Sequence, residues 1–342
     1  MGVASYEVLR DGQVVFVGPG LAGEETGLAP ARTYCYSVRA LDAAGNASAI
    51  RGPACATTPD LTPPTAPEDL AAEAVSETQV ELRWSASTDD VGVAGYEVLR
   101  DRVPVSAAAE THASDRGLRS GTRYCFAVRA RDAAGNRSPP GRSACLTTPD
   151  LTPPSPPRHP VARALSESSV EIRWEPASDN VAVAGYDVLR DGNVRRRASE
   201  TAAVEEGLGA ATRYCYEVRA RDAAGNLSET GGPACATTPD TTPPTPPRRL
   251  VAVAAGEARI DLRWQASTDN VGVAGYEVSR DGEPIARTEA TRAGDAGLRA
   301  WSEHCYAVRA LDRAGNRSEP GGPVCARTRD ETPPAPPARV VA

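Results

Sequence analysis

The sequence predicts an all-β protein made of tandem β-sandwiches. Three observations lead to this fold class: the chain repeats itself every 90 residues, apolar and polar residues alternate with a period of two inside each repeat, and a Pro-rich stretch separates one repeat from the next. Period-two alternation is typical of half-buried strands, and several short strands with frequent turns favour a sandwich. Each repeat is therefore expected to fold around its own core.

The repeat is visible in the cysteines and tryptophans, which recur without insertion or deletion. The cysteine series are Cys35, Cys125, Cys215, Cys305 and Cys55, Cys145, Cys235, Cys325; the tryptophans are Trp84, Trp174 and Trp264. A period of this length is the size of an independent domain. The predicted domains are 1–60 (the first repeat, partial, without its first two strands), 61–150 (second), 151–240 (third), 241–330 (fourth) and 331–342 (a linker and the first strand of a further module).

Inside a repeat, each predicted strand ends at a recognisable turn. Val80, Leu82 and Trp84 share one face of the second strand. The next strand ends in Asp-Gly at 11–12, 191–192 and 281–282, a dipeptide that favours tight hairpins because both turn positions need positive φ. In the second repeat the corresponding pair is Asp101-Arg102, which weakens the turn signal. The Pro-rich linkers, such as 60–67, favour extended and stiff geometry.

Composition narrows the functional classes. The chain has 342 residues and a formal charge of −7, and it contains Arg but no Lys, which suggests GC-rich bacterial coding. No basic stripe indicates nucleic-acid binding. No run of about 18 apolar residues exists, so no membrane insertion is expected. The acidic residues fall at outward strand positions, where solvated charge is the default expectation.

The pattern resembles the fibronectin type III domain of bacterial secreted and cell-surface proteins. The resemblance depends on Trp at the end of the second strand, on Gly117-Leu118 before Thr122-Arg123-Tyr124, and on the segments 266–276 and 222–226. It implies sandwiches of two sheets and seven strands. It also implies that a Tyr hydroxyl bonds back to the preceding turn, a role carried by Tyr34, Tyr124 and Tyr214. The fourth repeat departs, with His304 at that position and Trp301 nearby.

Two cysteines flank the last predicted turn of every repeat at equal distances from its glycine. Residues placed in this way face each other in an antiparallel hairpin. The expected disulfides are Cys35–Cys55, Cys125–Cys145, Cys215–Cys235 and Cys305–Cys325. Zinc is the alternative, but the chain has no Cys-x-x-Cys, and its three His residues do not follow the repeat. Four disulfides predict an extracellular or cell-surface location.

Two further sites have a functional and a purely structural interpretation. Asp60, Asp89 and Asp132 are candidate calcium ligands, because the linker and two loops are expected to meet at one end of the sandwich. Asp also simply forms turns. Asn-x-Ser acceptor patterns predict N-glycosylation at Asn46, Asn136, Asn226 and Asn316, although Gly-Asn also suits a tight turn.

The sequence contains no catalytic set and no cofactor motif, so the chain is expected not to be an enzyme. The first functional hypothesis is an extracellular structural or adhesive array, part of a surface fibre. Its partners would be neighbouring copies or further modules of the same chain, with contact to polysaccharide or to a cell surface. The alternative is a non-catalytic spacer region of a secreted carbohydrate-active enzyme. A third hypothesis is a ligand site in the fourth repeat near Trp301 and His304.

The partial first repeat has two interpretations. The chain is either a window of a longer array, which is the favoured interpretation, or its terminal segment 338–342 donates a strand to the first repeat of another copy.

Overall fold

The computed structural model describes residues 2–336, in which every regular element is a β-strand. The expectation for 338–342 lies outside these residues. The chain divides into two compact units, Met1–Thr152 and Pro153–Ala342. The first unit contains the first and second repeats. The second unit contains the third and fourth repeats, and all-β architecture with antiparallel sheets is present in both.

The strands of the first unit follow the predicted order. Those of the first repeat are β1 (Val3–Arg10), β2 (Gln13–Gly18), β3 (Thr33–Asp42) and β4 (Arg51–Thr57). Those of the second repeat are β5 (Ala71–Ser76), β6 (Gln79–Arg83), β7 (Val93–Arg100), β8 (Val103–Ala108), β9 (His112–Arg116), β10 (Arg123–Asp132) and β11 (Ala144–Thr147).

The second unit repeats the seven-stranded pattern twice. The strands of the third repeat are β12 (Arg158–Ser166), β13 (Ser169–Glu175), β14 (Val183–Arg190), β15 (Asn193–Ala198), β16 (Ala202–Glu206), β17 (Arg213–Asp222) and β18 (Gly231–Thr237). Those of the fourth are β19 (Arg248–Ala254), β20 (Arg259–Gln265), β21 (Val273–Arg280), β22 (Glu283–Thr288), β23 (Arg292–Ala296), β24 (Glu303–Asp312) and β25 (Gly321–Arg327).

Each seven-stranded repeat is a sandwich of a three-stranded and a four-stranded sheet. In the second repeat the strand orders are β5-β6-β9 and β11-β10-β7-β8, and the other two repeats follow the same order. The core lies between the sheets: Val80, Leu82, Phe126 and Val128 are at most 1% exposed. Trp84 packs edge-on against Tyr96, with 5.4 Å between the ring centroids. The alternation of apolar residues along β6 and β10 therefore marks the buried face.

The first repeat consists of one four-stranded sheet, β2-β1-β3-β4. Residues 2–60 provide no three-stranded sheet to cover its apolar face. Val38 is consequently 38% exposed, whereas its counterpart Val128 is 1% exposed. The difference measures how much of the burial in a complete repeat depends on the opposite sheet.

The hairpin turns after β1, β7, β14 and β21 all adopt positive φ at both central residues. Asp101 and Arg102 have φ values of 51° and 71°, close to those of Asp191 and Gly192 at 54° and 74°. The second repeat thus keeps the turn without the glycine that favours it. The flanking strands fix this geometry, because β7 and β8 pair through Arg100 and Val103 directly beside the turn.

Candidate functional site

The Pro-rich linker before a repeat packs against the loop between its second and third strands. In the second repeat the Thr65 amide donates to the Thr88 carbonyl at 2.9 Å, and in the fourth the Thr245 amide donates to the Thr268 carbonyl at 2.8 Å. We call this the leading end of a repeat. The linker is thereby held where its acidic residues, Asp60 and Asp240, meet the acidic residues of the loops.

Three carboxylates converge at the leading end. In the second repeat they belong to Asp60, Asp89 and Asp90, each of which places an oxygen within 4.8 Å of the others. In the fourth repeat a similar cluster is formed by Asp240, Asp269 and Asp312, the last of which is the counterpart of Asp132. None of these six side chains forms an ion pair with Arg or His among residues 2–336. Two carboxylates about 4 Å apart repel by roughly 4 kcal/mol at the effective dielectric of a protein surface.

The hydrogen bonds of these carboxylates are incomplete. Asp60 Oδ1 accepts from the Thr62 amide at 3.1 Å, and Asp89 Oδ2 accepts from the amides of Val91 and Gly92. The remaining oxygens, Asp60 Oδ2 and Asp89 Oδ1, are buried and have no donor in the described part of the chain. Buried carboxylate oxygens are normally satisfied, so these atoms are unusual.

The fourth repeat shows the same pattern of donors and unpaired oxygens. Asp269 Oδ2 accepts from the amides of Val271 and Gly272, while Asp240 Oδ2 and Asp269 Oδ1 are buried without a donor within residues 2–336. Asp60 is 8% exposed and Asp240 is 9% exposed. The arrangement therefore recurs in two repeats that lie in different units.

The structure places Asp132, the third predicted ligand, beside the cluster of the second repeat. Asn136 joins the two: its Nδ2 donates to Asp132 Oδ2 at 2.7 Å and to the Asp60 carbonyl at 3.1 Å. Burial favours a higher pKa for Asp132, but the hydrogen bonds from Asn136 and Gly135 outweigh it and hold that pKa below its usual value. Asp90 takes the third place in the cluster. The sequence interpretation did not include it, although it directly follows Asp89.

The asparagines of the predicted acceptor patterns take part in this network. In the fourth repeat Asn316 Nδ2 donates to Asp312 Oδ2 and to the Asp240 carbonyl, which occupies both of its N–H groups, as Asn136 does in the second repeat. A glycan on either nitrogen would replace one of these N–H groups. Asn46 donates to Asp42 at 2.9 Å in an exposed turn. N-glycosylation stays a proposal, and it is weakest at Asn136 and Asn316.

Disulfides close the last hairpin of every repeat. The bonded pairs face each other directly in the strand register: Cys35–Cys55, Cys125–Cys145, Cys215–Cys235 and Cys305–Cys325. All eight cysteines are used. In each pair the α-carbons are 4.0 Å apart.

The opposite end of a repeat, which we call the trailing end, carries the Tyr residues. The hydroxyls of Tyr34, Tyr124 and Tyr214 accept from the amides of Ala29, Arg119 and Gly209, at 3.0, 3.0 and 2.9 Å. In the fourth repeat His304 replaces this Tyr and contacts Asp281, with 2.8 Å between Nδ1 and Oδ2. Its Nε2 lies 3.0 Å from Ser302 Oγ.

Trp301, beside this altered corner, is 64% exposed. The guanidinium of Arg327 lies 5.2 Å from the centre of its ring, so one face of the indole is already covered. An aromatic platform for a sugar needs an open face, and only the other face of this ring remains available.

A glutamate at the trailing end binds the linker that follows the repeat. Glu167, in the turn between β12 and β13, accepts from the Thr241 amide at 3.3 Å and from the Thr242 hydroxyl at 2.9 Å. Glu77 and Glu257 make the equivalent contacts with the hydroxyls of Thr152 and Thr332. The hydrogen bonds from Thr242 and Thr241 hold the pKa of Glu167 below its usual value. Sequence reasoning missed these residues, although they recur every 90 residues.

A partly buried ion pair joins the two sheets of each complete repeat. In the fourth repeat Arg280 Nη1 on β21 donates to Asp295 on β23 at 3.0 Å, and the Tyr306 hydroxyl on β24 donates to the same carboxylate at 2.7 Å. The pairs Arg100–Asp115 and Arg190–Glu205, both at 2.9 Å, occupy the corresponding places. The expectation that acidic strand residues are solvated is wrong here, because these carboxylates face the inter-sheet space beside an Arg.

Residues 2–336 contain no candidate for a membrane-spanning helix.

Comparison with known proteins identifies related sequences. The family profile described as "Fibronectin type III domain" matches residues 65–144 and 155–234. Exoglucanase B of Cellulomonas fimi is 41% identical over 280 residues, which is 77% of this chain and 25% of that protein. Exoglucanase A of the same organism is 38% identical over 338 residues, covering 93% of this chain and 38% of that protein. Chitinase A1 of Niallia circulans is 37% identical over 174 residues, covering 49% and 25%.

These relatives correct the first functional hypothesis. They carry the names of exoglucanases and a chitinase, and the chain spans only 25% to 38% of their length. The expectation of a structural or adhesive array in a surface fibre is therefore wrong, and the findings favour the alternative interpretation. The repeat pattern does not distinguish a fibre from a spacer, because tandem sandwiches of this kind serve several roles and fold alone does not assign one of them.

Proposed function

The chain belongs to the fibronectin type III family as a tandem array, and we propose that it is the non-catalytic spacer region of a secreted carbohydrate-active enzyme. The observation that carries the proposal is the match to Exoglucanase B, which covers 77% of this chain but 25% of the relative. The shared part is thus a minority of that protein. The proposed domain boundaries are 1–60, 61–150, 151–240, 241–330 and 331–342.

A spacer must hold the parts that it joins at a defined separation. Two local features support this role: the Pro-rich linkers are short and extended, and the three that follow a complete repeat are bonded to it by Glu77, Glu167 or Glu257. Both features reduce the freedom of the linker relative to that repeat. The proposed role in polysaccharide degradation is mechanical, since the sandwiches contribute no catalytic group.

The four disulfides support a location outside the cell. Disulfides persist in oxidising surroundings, and each one here closes a hairpin on the outer side of a sheet. Polysaccharide would then be the partner of the complete enzyme, while the contacts of the array itself are with further modules of the same chain.

The test compares the complete protein encoded by the reading frame with two variants. In one variant residues 61–330 are deleted. In the other they are replaced by a Gly/Ser linker of the same number of residues. We expect hydrolysis of short soluble cello- or chito-oligosaccharides to be unchanged in both, and hydrolysis of insoluble cellulose or chitin to fall in both. If activity on the insoluble substrate falls further in the deletion variant than in the Gly/Ser variant, the length of the array matters in addition to its stiffness.

Two results would overturn the proposal. The first is a reading frame without a catalytic domain for glycoside hydrolysis. The second is an equal loss of activity on soluble and insoluble substrates, because that loss would place the array within the catalytic machinery.

A further inference from the structure

We propose that the carboxylate clusters at the leading ends of the second and fourth repeats bind calcium. The chemistry of the cluster is that of a hard-cation site: three carboxylates offer oxygens within 4.8 Å of one another, and no basic side chain is paired with them in the described residues. Calcium prefers oxygen ligands and accepts irregular geometry, including carboxylates from different loops.

The clustering alone would not be sufficient, since acidic loops are common. The second observation is that Asp60 is 8% exposed and keeps a buried Oδ2 that no donor in residues 2–336 reaches. Asp89, which converges with it, keeps a buried Oδ1 in the same condition. Each carboxylate uses its other oxygen for backbone amides, and this orients the pair.

The fourth repeat provides an independent second instance. Asp240 is 9% exposed with an unpaired Oδ2, and Asp269 has an unpaired Oδ1. The third ligand differs between the repeats: it is Asp90 in the second, and Asp312, at the end of β24, in the fourth. Residue 270, the counterpart of Asp90, is Asn in the fourth repeat. The two sites therefore share two ligands and the linker that supplies one of them.

The position of the site predicts its effect. Asp240 belongs to the linker before the fourth repeat, while Asp269 lies in a loop and Asp312 at a strand end of that repeat. A cation bound by all three would fix the linker to the repeat that follows it. Calcium would then stiffen the leading end in the way that Glu167 and its counterparts hold the trailing end.

The experiment is calorimetric titration of the whole chain with calcium chloride, after removal of divalent ions with a chelator and of the chelator itself. We expect saturable binding with a dissociation constant of about 10⁻⁴ to 10⁻³ M, the range typical of extracellular calcium modules. Magnesium chloride should bind at least about tenfold more weakly, because Mg²⁺ demands a smaller octahedral set of ligands.

The variant Asp60→Asn removes the charge but keeps the acceptor for Thr62. It should reduce the number of calcium ions bound by one, or weaken one site at least about tenfold. Asp240→Asn should do the same independently in the fourth repeat, and the double variant should lose both. Glu73→Gln, on an exposed position of β5, makes the same change in net charge and should bind calcium as the wild type does.

Three results would overturn the proposal: no saturable binding up to about 10 mM calcium, equal affinity for magnesium, or unchanged binding in both Asp variants. Circular dichroism monitors folding, and Asp269→Asn replaces Asp240→Asn if the latter does not fold. Since binding is measured on the isolated chain, failure of this proposal leaves the spacer function untouched.

Discussion

The second and fourth repeats contain the same partly buried ion pair but differ in its third partner. Arg100 and Asp115 pair beside Phe126 in the second repeat, whereas the counterparts Arg280 and Asp295 share the carboxylate with the hydroxyl of Tyr306. The exposures are similar: the two arginine side chains are 32% and 34% exposed, and the two aspartates 12% and 9%.

The comparison shows which partner the carboxylate depends on. In the fourth repeat Asp295 accepts from an Arg and a Tyr, so it keeps a donor when one is removed. In the second repeat Phe126 offers no hydroxyl, and Arg100 is the side chain that compensates the charge of Asp115. A partly buried carboxylate without compensation is strongly unfavourable.

The largest expected effect comes from removing the arginine in each repeat. Arg100→Met should destabilise the second repeat by about 2 to 3 kcal/mol, below the full value for a buried pair because the arginine is partly exposed. Arg280→Met should cost about 1 kcal/mol less, because Tyr306 still donates to Asp295. Arg100 also lies 5.7 Å from the centre of the Tyr124 ring, and its loss adds to the difference.

The measurement must resolve single repeats, because an array of domains does not unfold in one two-state transition. Native-state hydrogen exchange, read by mass spectrometry on peptides of each repeat, gives the local free energy of opening. The third repeat provides an internal reference that neither variant touches. Equal losses in the two repeats would contradict the role given to the Tyr306 hydroxyl.

Tyr306→Phe gives the fourth repeat the aromatic residue of the second. Removing one donor to a charged acceptor should reduce the local free energy of opening by about 1.5 kcal/mol, the lower end for such bonds because Arg280 still donates to Asp295. The ring stays in place, so packing should be preserved. Tyr276→Phe, which removes the hydroxyl that accepts from the Ser267 amide, is the matched control for loss of a neutral hydrogen bond and should cost less.

Alkaline pH should separate the two repeats without any mutation. Burial and the hydrogen bond to Asp295 raise the pKa of Tyr306 above its usual value of about 10. A folded-state pKa that lies above the unfolded-state pKa stabilises the protein below about pH 10, and that contribution is lost as the pH rises further. Phe126 does not titrate.

Between pH 9 and 11, about the range in which phenols ionise, protection from exchange should therefore decrease more in the fourth repeat than in the second. Tyr306→Phe should reduce this difference, and an unchanged difference in that variant would assign the effect to another group.

The sequence was sufficient to predict the sandwiches because their signals are local. Alternation along β10 marks the buried face, and the equal spacing of Cys125 and Cys145 from Gly135 predicts the partners that the register brings together. The position of Asp60 beside Asp89 also follows from where linkers and loops meet. Each of these inferences needs only neighbouring strands or one shared end of the fold.

The remaining contacts join a repeat to a linker or one sheet to the other, and no pattern along a single hairpin predicts them. Glu77 bonds to Thr152, 75 residues later, and this distance includes almost the whole second repeat. Acidic strand residues are expected to be solvated, yet Asp295 is paired with Arg280 from the other sheet. The recurrence of these residues at 90-residue steps was the available signal, but recurrence alone does not show which repeated residues touch each other.

The smallest effect is expected at the linker. Glu167→Gln keeps an acceptor but removes the charge that the Thr241 and Thr242 donors favour, so the amide of Thr241 should exchange about 3- to 10-fold faster, as for a weakened surface interaction. Since those bonds lower the pKa of Glu167, their contribution is present above the unfolded-state pKa and is lost as the pH falls below about 4. The wild type at low pH should thus resemble the variant at pH 7. Glu229→Gln, elsewhere in the third repeat, is the control. If it accelerates exchange of the Thr241 amide equally, the effect comes from the net charge of the repeat and not from the bonds of Glu167.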